Sequence, residues 1–165
     1  MQILYFRSVW GMNDAATLEE KLEKIKAGGF DGVELDVPLD LETCQRARQL
    51  LNASRLAVVA QQWRTSGRTV AEHQAGFEQQ YERALVLKPL YLNSHTGCDH
   101  FTLEENLALF DHAAALAGRH GLEVYHETHR SRALFSAPAT MRFLDARPEL
   151  KLVADFSHWC CVHES

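Results

Sequence analysis

Carboxylates and histidines gather at three places in this 165-residue chain: Asn93-Ser-His95-Thr-Gly97, His126-Glu127-Thr128-His129-Arg130 and Asp155-Phe-Ser-His158. Read with the period of two of an extended strand, Tyr125 and Glu127 share one side, and Val153 and Asp155 share one side of the next apolar run. Each run thus ends in a carboxylate directed to one interior. A carboxylate is costly to bury unless it pairs or binds a cation. Two readings follow: the acids cap helices or pair with Arg130 and Arg132, or they share a divalent metal. The adjacent histidines add weight to the metal, because imidazole ligates metals, orients hydroxyls and moves protons near neutral pH. His95 lies on the face of Asn93, Gly97 is a place where backbone can approach a ligand, and an earlier apolar run contributes Glu34.

Those residues need strands to carry them. Apolar runs at Ile3–Phe6, Val33–Val37, Leu56–Ala60, Tyr91–Leu92, Leu122–Tyr125 and Leu152–Ala154 predict six strands, spaced by roughly the ~30 residues of one βα unit. Helical patterns fill the intervals. Thr17-Leu-Glu-Glu20, Thr69-Val-Ala-Glu72 and Thr102-Leu-Glu-Glu105 are capping boxes, each pairing an N-cap threonine with a glutamate three residues on. After Thr17, Leu18, Leu22 and Ile25 form an apolar stripe that Gly28-Gly29 ends, and a second helix over 41–52 buries Cys44. The fourth helix places Leu103, Leu107, Phe110, Ala114 and Ala117 on one face and stops at His120-Gly121, while Ala137-Pro138 opens the fifth. His73 and His112 read as solvent-facing helix positions, His100 and Asp99 as loop, and Cys160-Cys161 as packing.

Strict alternation of strand and helix gives an α/β fold with a parallel sheet, either open and doubly wound or closed into a barrel. The turn after the first strand, Ser8-Val-Trp-Gly-Met-Asn, lacks G-x-G-x-x-G, and the polar residues stand at the C-terminal ends of several strands. Both features favour a barrel. The formal charge of -5 offers no broad attraction for nucleic acid or an acidic membrane, so a small polar ligand is the expected partner. No apolar run approaches the length of a membrane span, and four cysteines without C-x-x-C spacing suit a reducing cytoplasm.

Phe30-Asp-Gly-Val-Glu-Leu35, Ser94-His-Thr-Gly97, His126-Glu-Thr-His-Arg130 and Val153-Ala-Asp-Phe-Ser-His158, in this order and spacing, resemble the xylose isomerase-like barrels. That family includes sugar epimerases, sugar phosphate isomerase-like proteins and endonuclease IV. The resemblance runs over essentially the whole chain, 1–165, as a single (β/α)8 TIM-barrel domain represented by about its first six βα units. It implies a divalent metal (Mn, Mg, Co or Zn) held by Glu127 and Asp155. It also implies substrate contacts at His158, His95 and Arg130, with Glu127 serving besides as the base; in the endonuclease branch His95 and His158 match metal ligands instead. Glu34 joins them as a substrate contact, and Trp10, like Trp63, is a candidate to pack on a sugar ring.

The implied function is isomerisation or epimerisation of a small sugar, sugar phosphate or polyol by proton transfer beside a metal-polarised carbonyl. The alternatives are an endonuclease IV-like phosphodiesterase and a non-catalytic barrel fragment. The family's later ligands, a histidine after strand seven and a glutamate after strand eight, have no counterpart here. The sequence reading is therefore of a C-terminally incomplete barrel whose open edges favour association with further copies or a partner. His163 and Glu164 are placed where a sixth helix should begin.

Overall fold

A computed structural model describes residues 2–164. Strands and helices alternate throughout: β1 (Phe6–Ser8), α1 (Leu18–Ala27), β2 (Gly32–Asp36), α2 (Leu41–Ser54), β3 (Ala57–Gln62), α3 (Val70–Leu87), β4 (Leu92–Ser94), α4 (Leu103–His120), β5 (Val124–Glu127), α5 (Ala137–Ala146), β6 (Leu152–Val153) and α6 (Phe156–His163). The strands form one parallel sheet in the order β1-β2-β3-β4-β5-β6. Register is set by pairs such as Ser8 with Glu34, Glu34 with Val59, and Glu127 with Val153.

The chain divides into two compact units, Met1–Gln61 with Gln80–Leu92, and Gln62–Gln79 with Asn93–Ser165. In the first, Leu22 and Ile25 of α1, Val33 and Leu35 of β2, and Cys44, Ala47 and Leu51 of α2 are buried, matching the predicted stripes. The first strand does not sit where its apolar run is. Ile3, Leu4 and Tyr5 are exposed and pairing is centred on Phe6–Ser8, because the Phe6 ring fills the space above Gly32 that a side chain there would need. Tyr5 still joins the neighbouring segment, its carbonyl accepting from the N–H groups of Asp31 and Gly32.

In the second unit, Phe110, Ala133, Leu134 and Phe143 form a core against which Leu103, Leu107, Leu150 and Leu152 pack. All three capping boxes form as predicted, and Pro138 lies in the first turn of α5 behind the N-cap Ser136. The inward face of α4 is rotated from the expectation: Asn106, Leu109, Phe110, Ala113 and Leu116 are buried, whereas Ala114 is exposed. A buried asparagine breaks the apolar pattern, and its hydrogen bonds explain why it is inside. Asn106 Oδ1 accepts from Cys98 N, and its Nδ2 donates to the carbonyls of Cys98, Phe101 and Thr102. Asn106 thereby ties the loop after β4 to α4, and that loop carries His95.

Candidate metal centre

Glu127 ends β5 and is almost fully buried. Its Oε2 accepts from Asn93 Nδ2 at 2.5 Å and lies 3.0 Å from His95 Nε2. Both partners come from β4 and the residue just beyond it. Burial pushes the Glu127 carboxyl up, but the bonds from His95 and Asn93 outweigh it and leave the group below the usual glutamate range. The carboxylate is therefore ionised at neutral pH inside a buried site.

Asp155 follows β6 directly and serves as N-cap of α6, its Oδ1 accepting from Ser157 N at 2.9 Å and Ser157 Oγ at 2.5 Å. The two readings of this acid are compatible, since Oδ1 caps the helix while Oδ2 lies 3.8 Å from His158 Nε2. Ligand atoms of Glu127, Asp155 and His158 all fall within 4.8 Å of one another, as do those of His95, Glu127 and His129. Two triads thus share Glu127.

His129 links the triads. Its ring centroid is 4.2 Å from that of His95 and 3.8 Å from that of His158. Its Nδ1 donates to the Arg130 carbonyl at 2.6 Å, which leaves the Nε2 lone pair available to a ligand. Burial, reinforced by the neighbouring His95, lowers its pKa to about 4. His129 is therefore neutral near pH 7, the form that ligates metal.

The sequence reading brought Glu127, Asp155, His158 and His95 to one place and left His129 and Asn93 without a role. Period two from Glu127 was the available signal for His129. Arg130 is exposed, with NH1 3.6 Å from Cys161 Sγ, and Arg132 donates to the carbonyls of Thr65 and Trp63; among the described residues neither arginine forms an ion pair with Glu127 or Asp155. Glu34 and Trp10 belong to the first unit, Glu34 half-buried on β2 and Trp10 exposed after β1.

Several expectations are corrected. His73 is buried, because its Nε2 bonds the Gly67 carbonyl at 3.2 Å and its ring meets the Phe101 edge. His112 is half-buried beside Phe77. Cys160 and Cys161 are exposed instead of packed, and His163 and Glu164 end α6 instead of opening it, because Asp155 starts that helix eight residues before His163. Gly97 answers a steric need of the protein. At φ +69 it adopts a left-handed backbone, and a Cβ there would lie 2.1 Å from Asn106 Oδ1.

No family model matches the chain, and no curated protein is significantly similar to it. Solved structures are. The D-allulose 3-epimerase of Methylomonas sp., determined in complex with D-allulose, superposes with a TM-score of 0.76 at 17% identity, over 99% of this chain and 65% of that one. The probable 3-DHS dehydratase of Bacillus anthracis gives 0.70 at 19% identity, over 94% and 64%. A xylose isomerase domain-containing protein of Salmonella typhimurium gives 0.69 at 16% identity, over 97% and 63%. This chain has the xylose isomerase-like barrel fold. It spans about two thirds of the length of these three xylose isomerase-like proteins. Among its described residues, no helix is long and apolar enough to cross a membrane.

Proposed function

We propose that the protein moves a proton at a carbon next to a carbonyl in a small sugar-like substrate, as an isomerase or epimerase dependent on a divalent metal. The observation that carries this reading is the convergence of Asp155 and His158, and of His95 and His129, on the buried Glu127. The donor set suits a divalent ion: ligands about 2.0–2.2 Å from a metal lie within ~4.4 Å of one another, so a triad whose ligand atoms lie within 4.8 Å needs only small adjustments. When bound, such an ion polarises the carbonyl and hydroxyl oxygens of the substrate and lowers the cost of removing the intervening proton.

The chain's own groups supply the rest. Glu127, ionised and fixed by Asn93 and His95, accepts the proton, and its hydrogen-bonded neighbours hold the carboxylate steady while the charge changes. His158 and Arg130 bind substrate oxygens, and Asp155, anchored by Ser157 at the head of α6, would hold the metal from the end of the neighbouring strand. The neighbouring sugar epimerases and the dehydratase support this class of chemistry by fold.

The direct test is incubation with ketoses, both free and phosphorylated, in deuterated water and Mn2+, following deuterium at the carbon next to the carbonyl. Deuterium enters with the natural chain and is lost with chelator and with Glu127→Gln, which removes the charge and nearly keeps the shape. Equal incorporation by Glu127→Gln would take the role from Glu127.

A second reading has its own observation, since two triads sharing one carboxylate also fit a bridged metal pair of the phosphodiesterase kind. Two bound metals with hydrolysis of a phosphodiester would establish it; one metal with no such hydrolysis rejects it.

A further inference from the structure

An open cavity of about 330 Å³ lies in the second unit, with His129 on its wall and Thr65, Ser66, His73, Arg130, Ser131 and Arg132 around it. Arg130 and Arg132 both line it, and no carboxylate does among the described residues. Ser131 adopts a left-handed backbone (φ 62) in a turn closed by Arg132 N donating to the His129 carbonyl, which puts Arg130 and Arg132 on one cavity.

Arg132 is half-buried yet bonds neutral groups: NH1 donates to the Thr65 carbonyl at 3.0 Å and NH2 to the Trp63 carbonyl at 2.6 Å. A partly desolvated guanidinium held by carbonyls gains from an anion, because a charged acceptor offsets a desolvation cost that dipoles offset only in part. Among the described residues the exposed Arg130 guanidinium has only the weak acceptor Cys161 Sγ at 3.6 Å, a contact an oxyanion readily replaces. The nearby acids have their own contacts and do not line the cavity, although Asp99 acts on Arg132 at a distance. Glu72 accepts from the N–H groups of Arg68 and Thr69, and Asp99 lies 3.5 Å from His100.

We propose that this cavity is an oxyanion subsite, and that the substrate is an anionic sugar derivative, a sugar acid or sugar phosphate, instead of a neutral sugar. The assignment of the substrate rests on the proton-transfer reading above; the anion site itself does not. Because His129 belongs both to the cavity wall and to the metal-capable cluster, one small molecule can place its oxyanion on the arginines and its hydroxy-carbonyl end at Glu127.

Calorimetric titration of the whole chain with inorganic phosphate and with acetate, at constant ionic strength in chloride, tests the site. Saturable binding in the millimolar range is expected for at least one. Tighter phosphate points to a sugar phosphate and tighter acetate to a sugar acid, and either supports the subsite. Arg130→Gln and Arg132→Gln should each weaken binding tenfold or more, while Arg119→Gln, an exposed arginine 3.9 Å from Glu78, leaves it unchanged. Arg132 also holds its loop, so the exposed Arg130 provides the variant that keeps the fold, checked by circular dichroism. No binding of either anion, or binding unaltered in Arg130→Gln, overturns the proposal. A parallel Mn2+ titration reports on the cluster alone, so loss of one site is distinguishable from loss of the other.

Discussion

His126 sits beside Glu127 and points to the other side of β5, where Thr96 Oγ1 meets its Nδ1 at 2.7 Å and the Phe110 edge packs at 4.7 Å. Burial lowers its pKa from 6.5 to about 3, so the folded chain holds it neutral. Below pH 6.5 the unfolded chain takes up a proton that the folded chain refuses; this group therefore lowers stability progressively from pH 6.5 to about 3 and has no effect above that window. His126→Asn keeps an acceptor near Nδ1 and removes the titration. Urea unfolding at pH 7 and pH 5 should show the natural chain losing about 2 kcal/mol more than the variant, at ~1.4 kcal/mol per pH unit; equal losses would mean that His126 is protonated in the fold. At this scale the sequence was informative where side chains alternate: Glu127 and Asp155 converge as period two required, and His158 follows one helical turn after the Asp155 cap. His129 was legible by the same rule but competed with four polar neighbours. The exposure of Cys160 and Cys161 was hidden, because one face of a short helix cannot be chosen without knowing what covers it.

Among the elements, helix starts were the best-read features, since a capping box is a local reciprocal bond and needs no tertiary partner. Strand ends were read less well. Strands β3, β4 and β5 each run two residues beyond their apolar runs, into Gln62, Ser94 and Glu127, the polar C-terminal residues that carry the site. The face of α4 was misjudged because Asn106 is polar in type but inward in position. Its four hydrogen bonds make a testable claim: Asn106→Ala should destabilise the chain by about 2–4 kcal/mol, the cost of leaving buried groups of the β4–α4 loop unsatisfied. Ala114→Ser on the exposed face should change stability by less than ~0.5 kcal/mol. Denaturant midpoints measure both, and a mild Asn106→Ala would mean that the loop is held by other contacts. If the loop is held this way, Asn106→Ala also weakens metal binding, through displacement of His95.

For the molecule as a whole, alternation of strand and helix specified a parallel sheet in sequential order, and the absence of a dinucleotide fingerprint selected the barrel over the open sheet. The solved xylose isomerase-like structures agree with that choice. Substrate identity was not legible: the cavity beside His129 proposed to set it is walled mainly by loops after β3, β4 and β5, which follow no periodic pattern. What the fold does is bring β4, β5 and β6 side by side so that separate sequence segments meet at one buried acid. The central claim is that this meeting point holds a divalent metal. Isothermal titration of the metal-free chain with Mn2+ at pH 7.5, repeated on Glu127→Gln and Asp155→Asn, tests it most directly. Saturable binding of one ion, weakened at least tenfold by each substitution, is the predicted result. Absence of saturable binding, or binding indifferent to both substitutions, would contradict the account.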